Sequence, residues 1–317
     1  MHLASRTGSL VVIASCIAWR CLAGTPVTVQ LDWIPNVQFA GVLVAKEKGW
    51  YRDAGLDVSV RPIDLQAMST SVGTVLKGPR VIGIADGLVL LNARADRKPV
   101  KAFATMLQAS PLCIMALKQG PIRSFHDLAG KRIGLHAYDH LQLHLMLAYN
   151  HMADTDVTAV DIGDDLTSLI GGKIDAQVAY SIDEKVAVEL KGHPTFILPA
   201  YQNGFVAYSQ VYYTTDDVFR AEPGLLASFL DATNRGWTEA FAHPGETARM
   251  TVATYLKDGD PAYQEQSLRE IAKVATIESP KLGSMRVATW ERSCEIFHLP
   301  KSLVGELVDL SIVDSLK

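Results

Sequence analysis

The chain has 317 residues, 48% of them hydrophobic and 20% charged, with a mean hydropathy of +0.12. That composition is globular. It excludes disordered and collagen-like architectures, and at roughly 150 residues per domain it points to about two domains. A net charge of −4 without a basic run lacks the electrostatic footprint of a nucleic-acid binder, and four cysteines with no C-x-x-C pair make neither a disulfide scaffold nor a structural zinc site.

The first 23 residues carry Arg6 and Arg20, no acid, and an apolar stretch over residues 10–19. The stretch is too short to span a bilayer, which needs ~20 apolar residues, and its layout is that of an export signal. Cleavage after Ala23 is one outcome. Lipidation of Cys16, behind Ile13-Ala14-Ser15, is the other. Either way the protein is expected to leave the cytoplasm, as a periplasmic or extracytoplasmic protein that is soluble or anchored through Cys16. Cys113 and Cys294 then remain, far apart in sequence, and are read as buried free thiols.

Taken in order, residues 27–31 alternate as a strand and 32–36 break it. A helix follows from residue 39 to a stop at Gly49. Then come a strand (56–60), a helix (65–76), a strand (81–84), a helix (88–95) and a strand (100–106). The rhythm restarts after Pro111. Strands are expected at 112–117, 131–135, 158–162, 176–179 and 195–198, with helices at 125–130, after residue 139, and at 166–171 and 184–190. From Val211 the pattern changes: past residues 212–215 long helices follow, at 223–242, 245–256, 262–273 and 289–297, with no strand alternating between them. Short strands alternating with helices predict an α/β chain with largely parallel sheets. No internal repeat or Gly/Ser linker is visible.

No catalytic signature stands out: there is no G-x-S-x-G, H-E-x-x-H or phosphate loop. His136, His140 and His144 share a helical spacing, but without a cysteine or carboxylate partner they read as polar helix residues rather than metal ligands. No catalytic residue, metal or cofactor is expected. In open α/β sheets ligands sit beyond the carboxyl ends of strands. That directs attention to loops 32–39, 85–87, 106–110, 136–140 and 180–184, and so to Trp33, Asn36, Gln38, Asp86, Gln108, Tyr138, Tyr180 and Glu184. Tyr201, Tyr208 and Tyr212 also fall near strand ends or crossovers. Aromatic rings gathered there suit a flat heteroaromatic ligand, with a few amides and carboxylates reading its edge.

The segment Leu31-Asp-Trp-Ile-Pro-Asn-Val-Gln-Phe-Ala-Gly41, followed by Val44-Ala-Lys-Glu-Lys-Gly-Trp-Tyr-Arg-Asp-Ala-Gly-Leu-Asp-Val58, resembles the opening of the NMT1/THI5-like family. Ile122-Arg-Ser-Phe-His-Asp-Leu-Ala-Gly-Lys-Arg-Ile-Gly134 and Gly171-Gly-Lys-Ile-Asp-Ala176 are similar to later blocks of the family. The resemblance implies a two-lobed type II periplasmic binding protein fold with a helical C-terminal tail. Residues 24–110 plus 211–317 would form lobe one and residues 111–210 lobe two, with crossovers near Ser110 and Gln210. It implies a monomeric solute receptor, not an enzyme, that serves an ABC permease of the inner membrane. Members and close relatives bind thiamine pyrimidine precursors, riboflavin, alkanesulfonates, taurine or nitrate. Trp33, Asn36, Tyr180 and Glu184 are similar to the pyrimidine-type pattern; Phe39 replaces a histidine common in the family, and Asp183-Glu184-Lys185 replaces Asn-Glu-Pro. Tyr208 completes the set of candidate ligand-binding residues. The family also contains eukaryotic enzymes that make the thiamine pyrimidine with a cysteine-rich iron motif and a sacrificial histidine, and this chain lacks that cysteine cluster.

Overall fold

The computed structural model describes residues 24–64, 71–137, 139–163 and 166–316. The expected export signal with Cys16, the first turns of the 65–76 helix, and Tyr138 lie outside the described residues.

The first half of the chain runs β1 (Thr25–Gln30), α1 (Ala40–Glu47), α2 (Trp50–Asp53), β2 (Leu56–Arg61), α3 (Ser71–Val75), β3 (Val81–Ala85), α4 (Gly87–Ala95) and β4 (Val100–Leu107). The chain then crosses to β5 (Leu112–Leu117), β6 (Arg132–Leu135), α5 (His140–Tyr149), β7 (Thr158–Asp161), α6 (Thr167–Ile170), β8 (Ala176–Tyr180), α7 (Glu184–Leu190) and β9 (Thr195–Pro199). It returns through β10 (Ser209–Thr215) to α8 (Asp216–Ala221), α9 (Pro223–Ala242), α10 (Pro244–Tyr255), α11 (Pro261–Ala275), α12 (Val287–Ile296), α13 (Ser302–Leu307) and α14 (Ser311–Ser315). Among the described residues no helix is long and apolar enough to cross a membrane. The expected short helix at 125–130 is a single 3-10 turn, Phe125–Leu128.

Two five-stranded sheets result, ordered β2-β1-β3-β10-β4 and β7-β6-β8-β5-β9. The expectation of largely parallel sheets holds only for the strands native to each half. β10 is antiparallel to both β3 and β4, and β5 is antiparallel to both β8 and β9. Both strands enter from the other lobe, so they run against the strands that the local β-α rhythm lays down.

Each sheet is packed on both faces. Within β3, Ile82 and Ile84 point to one core with α1, α9 and α11, while Val81 and Ala85 point to a second with α4, α12 and α13. The alternation is the period-two pleat of a strand covered on both sides. The helical tail is thus the outer layers of the first lobe. α1 and α9 approach closely because Gly41 and Gly236 face each other: a Cβ on Gly236 would lie 2.0 Å from the Gly41 carbonyl oxygen. Gly49, at φ +78°, ends α1 in the left-handed conformation that glycine adopts without steric penalty.

The lobes are joined by residues 108–111 and 200–208. A further seam forms where α11 of lobe one meets the start of α7. The Ser267 Oγ donates to the Ile182 carbonyl at 2.6 Å, the Tyr263 hydroxyl donates to Asp183, and the Lys185 ammonium lies 3.0 Å from Glu270. Tyr180 packs against the cores of both lobes. Cys113 and Cys294 are buried free thiols in different lobes.

Candidate functional site

A cleft of about 570 Å³ runs between the lobes. Its first wall comes from the carboxyl ends of β1 and β3. Beyond β1 the chain turns through Asp32 and Trp33 to Asn36, whose Oδ1 accepts the Gln38 amide N–H at 2.8 Å and so caps the 3-10 turn Val37–Phe39. This cap places Trp33, Asn36 and Gln38 on the cleft, and Trp33 is 46% exposed there. Beyond β3, Asp86 occupies the residue before α4 and also faces the cleft.

β10 is distorted where it passes these carboxylates. Gln210 sits at φ +56°, a left-handed conformation that is uncommon for a side chain other than glycine and tends to mark functional sites. The distortion lets the Gln210 N–H and the Ser209 hydroxyl both serve Asp86, while the Gln210 side-chain amide reaches toward Asp32 at 3.5 Å. The electrostatics follow. Burial raises both carboxyls, but Asp86 has these two donors to hold its charge. Asp32 has burial and the Asp86 charge against it, and it is pushed up to about 7. The two neighbouring carboxyls thus differ in what holds their charge, and Asp32 is the one that takes up a proton more readily.

The second wall is built by lobe two: His136 beyond β6, Gly163 and Leu166 beyond β7, and Gln177, Tyr180 and Glu184 from β8 and the start of α7. Glu184 Oε2 accepts the Tyr180 backbone N–H at 2.7 Å. Burial, opposed by that hydrogen bond and reinforced by Asp183, pushes its carboxyl to about 7. Tyr263, Gln264 and Ser267 of α11 close one end of the cleft.

Of the nine sequence candidates, Trp33, Asn36, Gln38, Asp86, Tyr180 and Glu184 line this cleft. Tyr138 lies outside the described residues. Gln108 and Tyr208 do not line the cleft, and their assignment as ligand contacts is corrected. Gln108 is buried and its amide is fully used on the tail: Oε1 accepts from the Glu278 and Ser279 N–H groups, both at 2.8 Å, and Nε2 donates to the Ser279 carbonyl at 2.9 Å. The Tyr208 hydroxyl donates to Glu278 at 2.7 Å and accepts the Arg286 N–H at 2.8 Å, and its ring packs on Trp290. With their polar groups saturated, both tie the crossover segments to the tail around Glu278. Phe39 is buried in the core of lobe one. His140 and His144 pair on the surface with Asp161 and Asp154.

Asp32, Gln177, Ser209, Gln210 and the α11 residues also line the cleft, although they are not among the nine candidates. Asp32 and Gln177 carried a signal: an acid beside Trp33, and an amide inside an apolar strand. Tyr263 and Gln264 carried none, because a tail helix reaches the cleft only in three dimensions.

Two mixed α/β lobes of this strand order, crossed twice and enclosing a cleft, define the type II periplasmic binding protein fold. The alkanesulfonate-binding protein SsuA from Xanthomonas axonopodis pv. citri shares it, with a TM-score of 0.61 at 15% identity over 91% of this chain and 98% of that one. The chain belongs to the NMT1/THI5 like family, whose model matches residues 36–247. It is 26% identical to the riboflavin-binding protein RibY of Chloroflexus aurantiacus, over 77% of this chain and 71% of that one. It is 25% identical to the 4-amino-5-hydroxymethyl-2-methylpyrimidine phosphate synthase of Legionella pneumophila, over 75% and 77%. It is 24% identical to the formylaminopyrimidine-binding protein of Halalkalibacterium halodurans, over 84% and 82%.

Proposed function

We propose that this protein is an extracytoplasmic solute receptor of an ABC importer. It captures a neutral or cationic heteroaromatic molecule bearing amino groups, of the thiamine-pyrimidine-precursor type, and delivers it to a membrane permease. The observation that carries this reading is the charge of the cleft: Asp32, Asp86 and Glu184 all line it, and no lysine or arginine is among its described lining residues. Partly buried carboxylates accept hydrogen bonds from amino groups and repel anions where water screens less than in bulk. An alkanesulfonate or nitrate anion would meet that repulsion with no lysine or arginine among the described lining residues to offset it. Trp33 supplies an exposed indole face for a flat ring.

Relatives named as binding proteins for riboflavin and formylaminopyrimidine support a flat nitrogen heterocycle. The binding reading is favoured over the synthase activity in the Legionella relative's name because both described thiols lie buried away from the cleft, where burial pushes them up and keeps them protonated. The protein acts as a monomer whose lobes close about residues 108–111 and 200–208.

Calorimetry at pH 7.5 with 4-amino-5-hydroxymethyl-2-methylpyrimidine, riboflavin and taurine tests the ligand class. Binding of the aminopyrimidine and not of taurine is expected; binding of taurine alone or of riboflavin alone overturns the ligand class. Incubation with pyridoxal phosphate and iron, read by mass spectrometry, tests the activity. An unchanged protein mass is expected, and self-modification would establish the enzyme.

A further inference from the structure

We propose that Gln177 is a ligand-reading residue whose side-chain amide pairs with an adjacent hydrogen-bond donor and acceptor on the edge of the heteroaromatic ring. The assignment rests on the receptor reading above and makes it more specific.

β8 lies in the middle of the second sheet, between β6 and β5. Ala176 and Val178 point into one apolar core, and Ala179 points to the opposite face, with Cys113, Met115, Leu169, Ile174 and Val188. By the pleat, Gln177 shares that second face. Its registered neighbours on the adjacent strands are Met115 and Gly134. A glutamine in these surroundings is 2% exposed, and its Oε1 has no hydrogen-bond partner.

For folding alone, this is an unfavourable choice. A buried amide oxygen without a partner loses its hydration and recovers nothing, and an apolar side chain of the same length would fit the face better. The neighbouring polar groups of the cleft differ. Asn36 caps its own turn, Gln264 accepts the Val37 N–H, Ser267 holds Ile182, Ser209 serves Asp86, and Gln210 reaches Asp32. Gln177 lines the same cleft with its acceptor unspent.

The chemistry of an amide then specifies the partner. Asp32, Asp86 and Glu184, when ionised, only accept. An amide both donates and accepts, and it meets an adjacent donor–acceptor pair in bidentate fashion, as glutamine does with the amino group and ring nitrogen of adenine. The amino group and adjoining ring nitrogen of an aminopyrimidine present such a pair. Rotating the amide by half a turn exchanges its nitrogen and oxygen, so either order on the ring is accommodated.

The test is Gln177→Met, which keeps the length of the side chain and removes both polar atoms. Two probes are titrated by calorimetry at pH 7.5: 4-amino-5-hydroxymethyl-2-methylpyrimidine and its analogue without the 4-amino group. The unliganded proteins are compared by thermal melting. The expected result is a variant that melts no lower than wild type, binds the amino probe at least tenfold more weakly, and binds the analogue within threefold of wild type. A variant that melts several degrees lower overturns the assignment, because the amide would then be serving the fold. Undiminished binding of the amino probe overturns it as well. Wild-type protein that binds neither pyrimidine overturns the ligand class of the preceding section, and Gln177 falls with it; wild-type binding with an indifferent variant overturns Gln177 alone.

Discussion

Replacing Asp32 by asparagine separates the demands of folding from those of binding. Asp32 stands at about 7 in the fold, against an ordinary value of 3.8, because it is buried and faces the charge on Asp86. A carboxyl raised in this way binds its proton more tightly when folded than when unfolded. Its contribution is therefore full below about pH 4 and is lost as the pH rises to 7, above which the native protein holds an uncomfortable carboxylate. The span of about three pK units corresponds to roughly 4 kcal/mol, an upper figure because water entering the open cleft relaxes part of the burial. Asparagine keeps the shape and an acceptor for Gln210 but has no charge to bury. Asp32→Asn should thus match wild type near pH 4 and melt higher at pH 8, by on the order of 10 °C if the whole difference is realised. Ligand binding should move the other way: the stabilised variant loses a charged acceptor and binds an aminopyrimidine more weakly at pH 8. Melting curves at pH 4.5 and 8 with calorimetry at pH 8 check both. A melting difference that does not grow with pH, or a variant less stable than wild type at pH 8, would refute the reasoning about the pair.

Further substitutions probe the cleft walls and the packing beneath them. Trp33→Ala should weaken heterocycle binding by ~1–3 kcal/mol, by analogy with bases stacked on aromatic side chains, and leave the melting temperature nearly unchanged because the indole is exposed. An unaltered affinity in calorimetry would remove the stacking role. Glu184→Gln retains an oxygen for the Tyr180 N–H, so folding should persist while aminopyrimidine affinity falls by ~1.5–3 kcal/mol with the lost charge; equal binding by variant and wild type would exclude the role. Gly236→Ala decides between two opposed effects. Helix propensity alone favours alanine by ~1 kcal/mol. Contact with the Gly41 carbonyl forces α1 and α9 apart, which destabilises by ~1–3 kcal/mol or more. Urea denaturation should show a lower midpoint, and a higher one would mean that the two helices have room to spare.

Much of the architecture was legible in the sequence because it is local. The β-α alternation, the glycine that ends α1 and the proline that begins α9 act over a few residues, and the strands and long helices appear close to where those signals put them. Trp33, Asn36, Asp86 and Glu184 were readable for the same reason: they follow strand ends, and strand ends in such sheets face the ligand side. Long-range neighbours were not written locally. The antiparallel entry of β5 and β10 depends on the chain crossing between lobes. Gln108 and Tyr208 stand at strand ends and crossovers just as the true cleft residues do, and only the tail segment around Glu278, about 170 and 70 residues further on, captures their polar atoms. The raised carboxyl of Asp32 arises from burial and then from Asp86, which follows a strand that pairs with β1 only in the folded sheet. Burial and company are properties of the packed molecule, so the sequence by itself determined which elements form and where loops turn, and tertiary structure alone decided which loop residues face the cleft and which are tied to the tail.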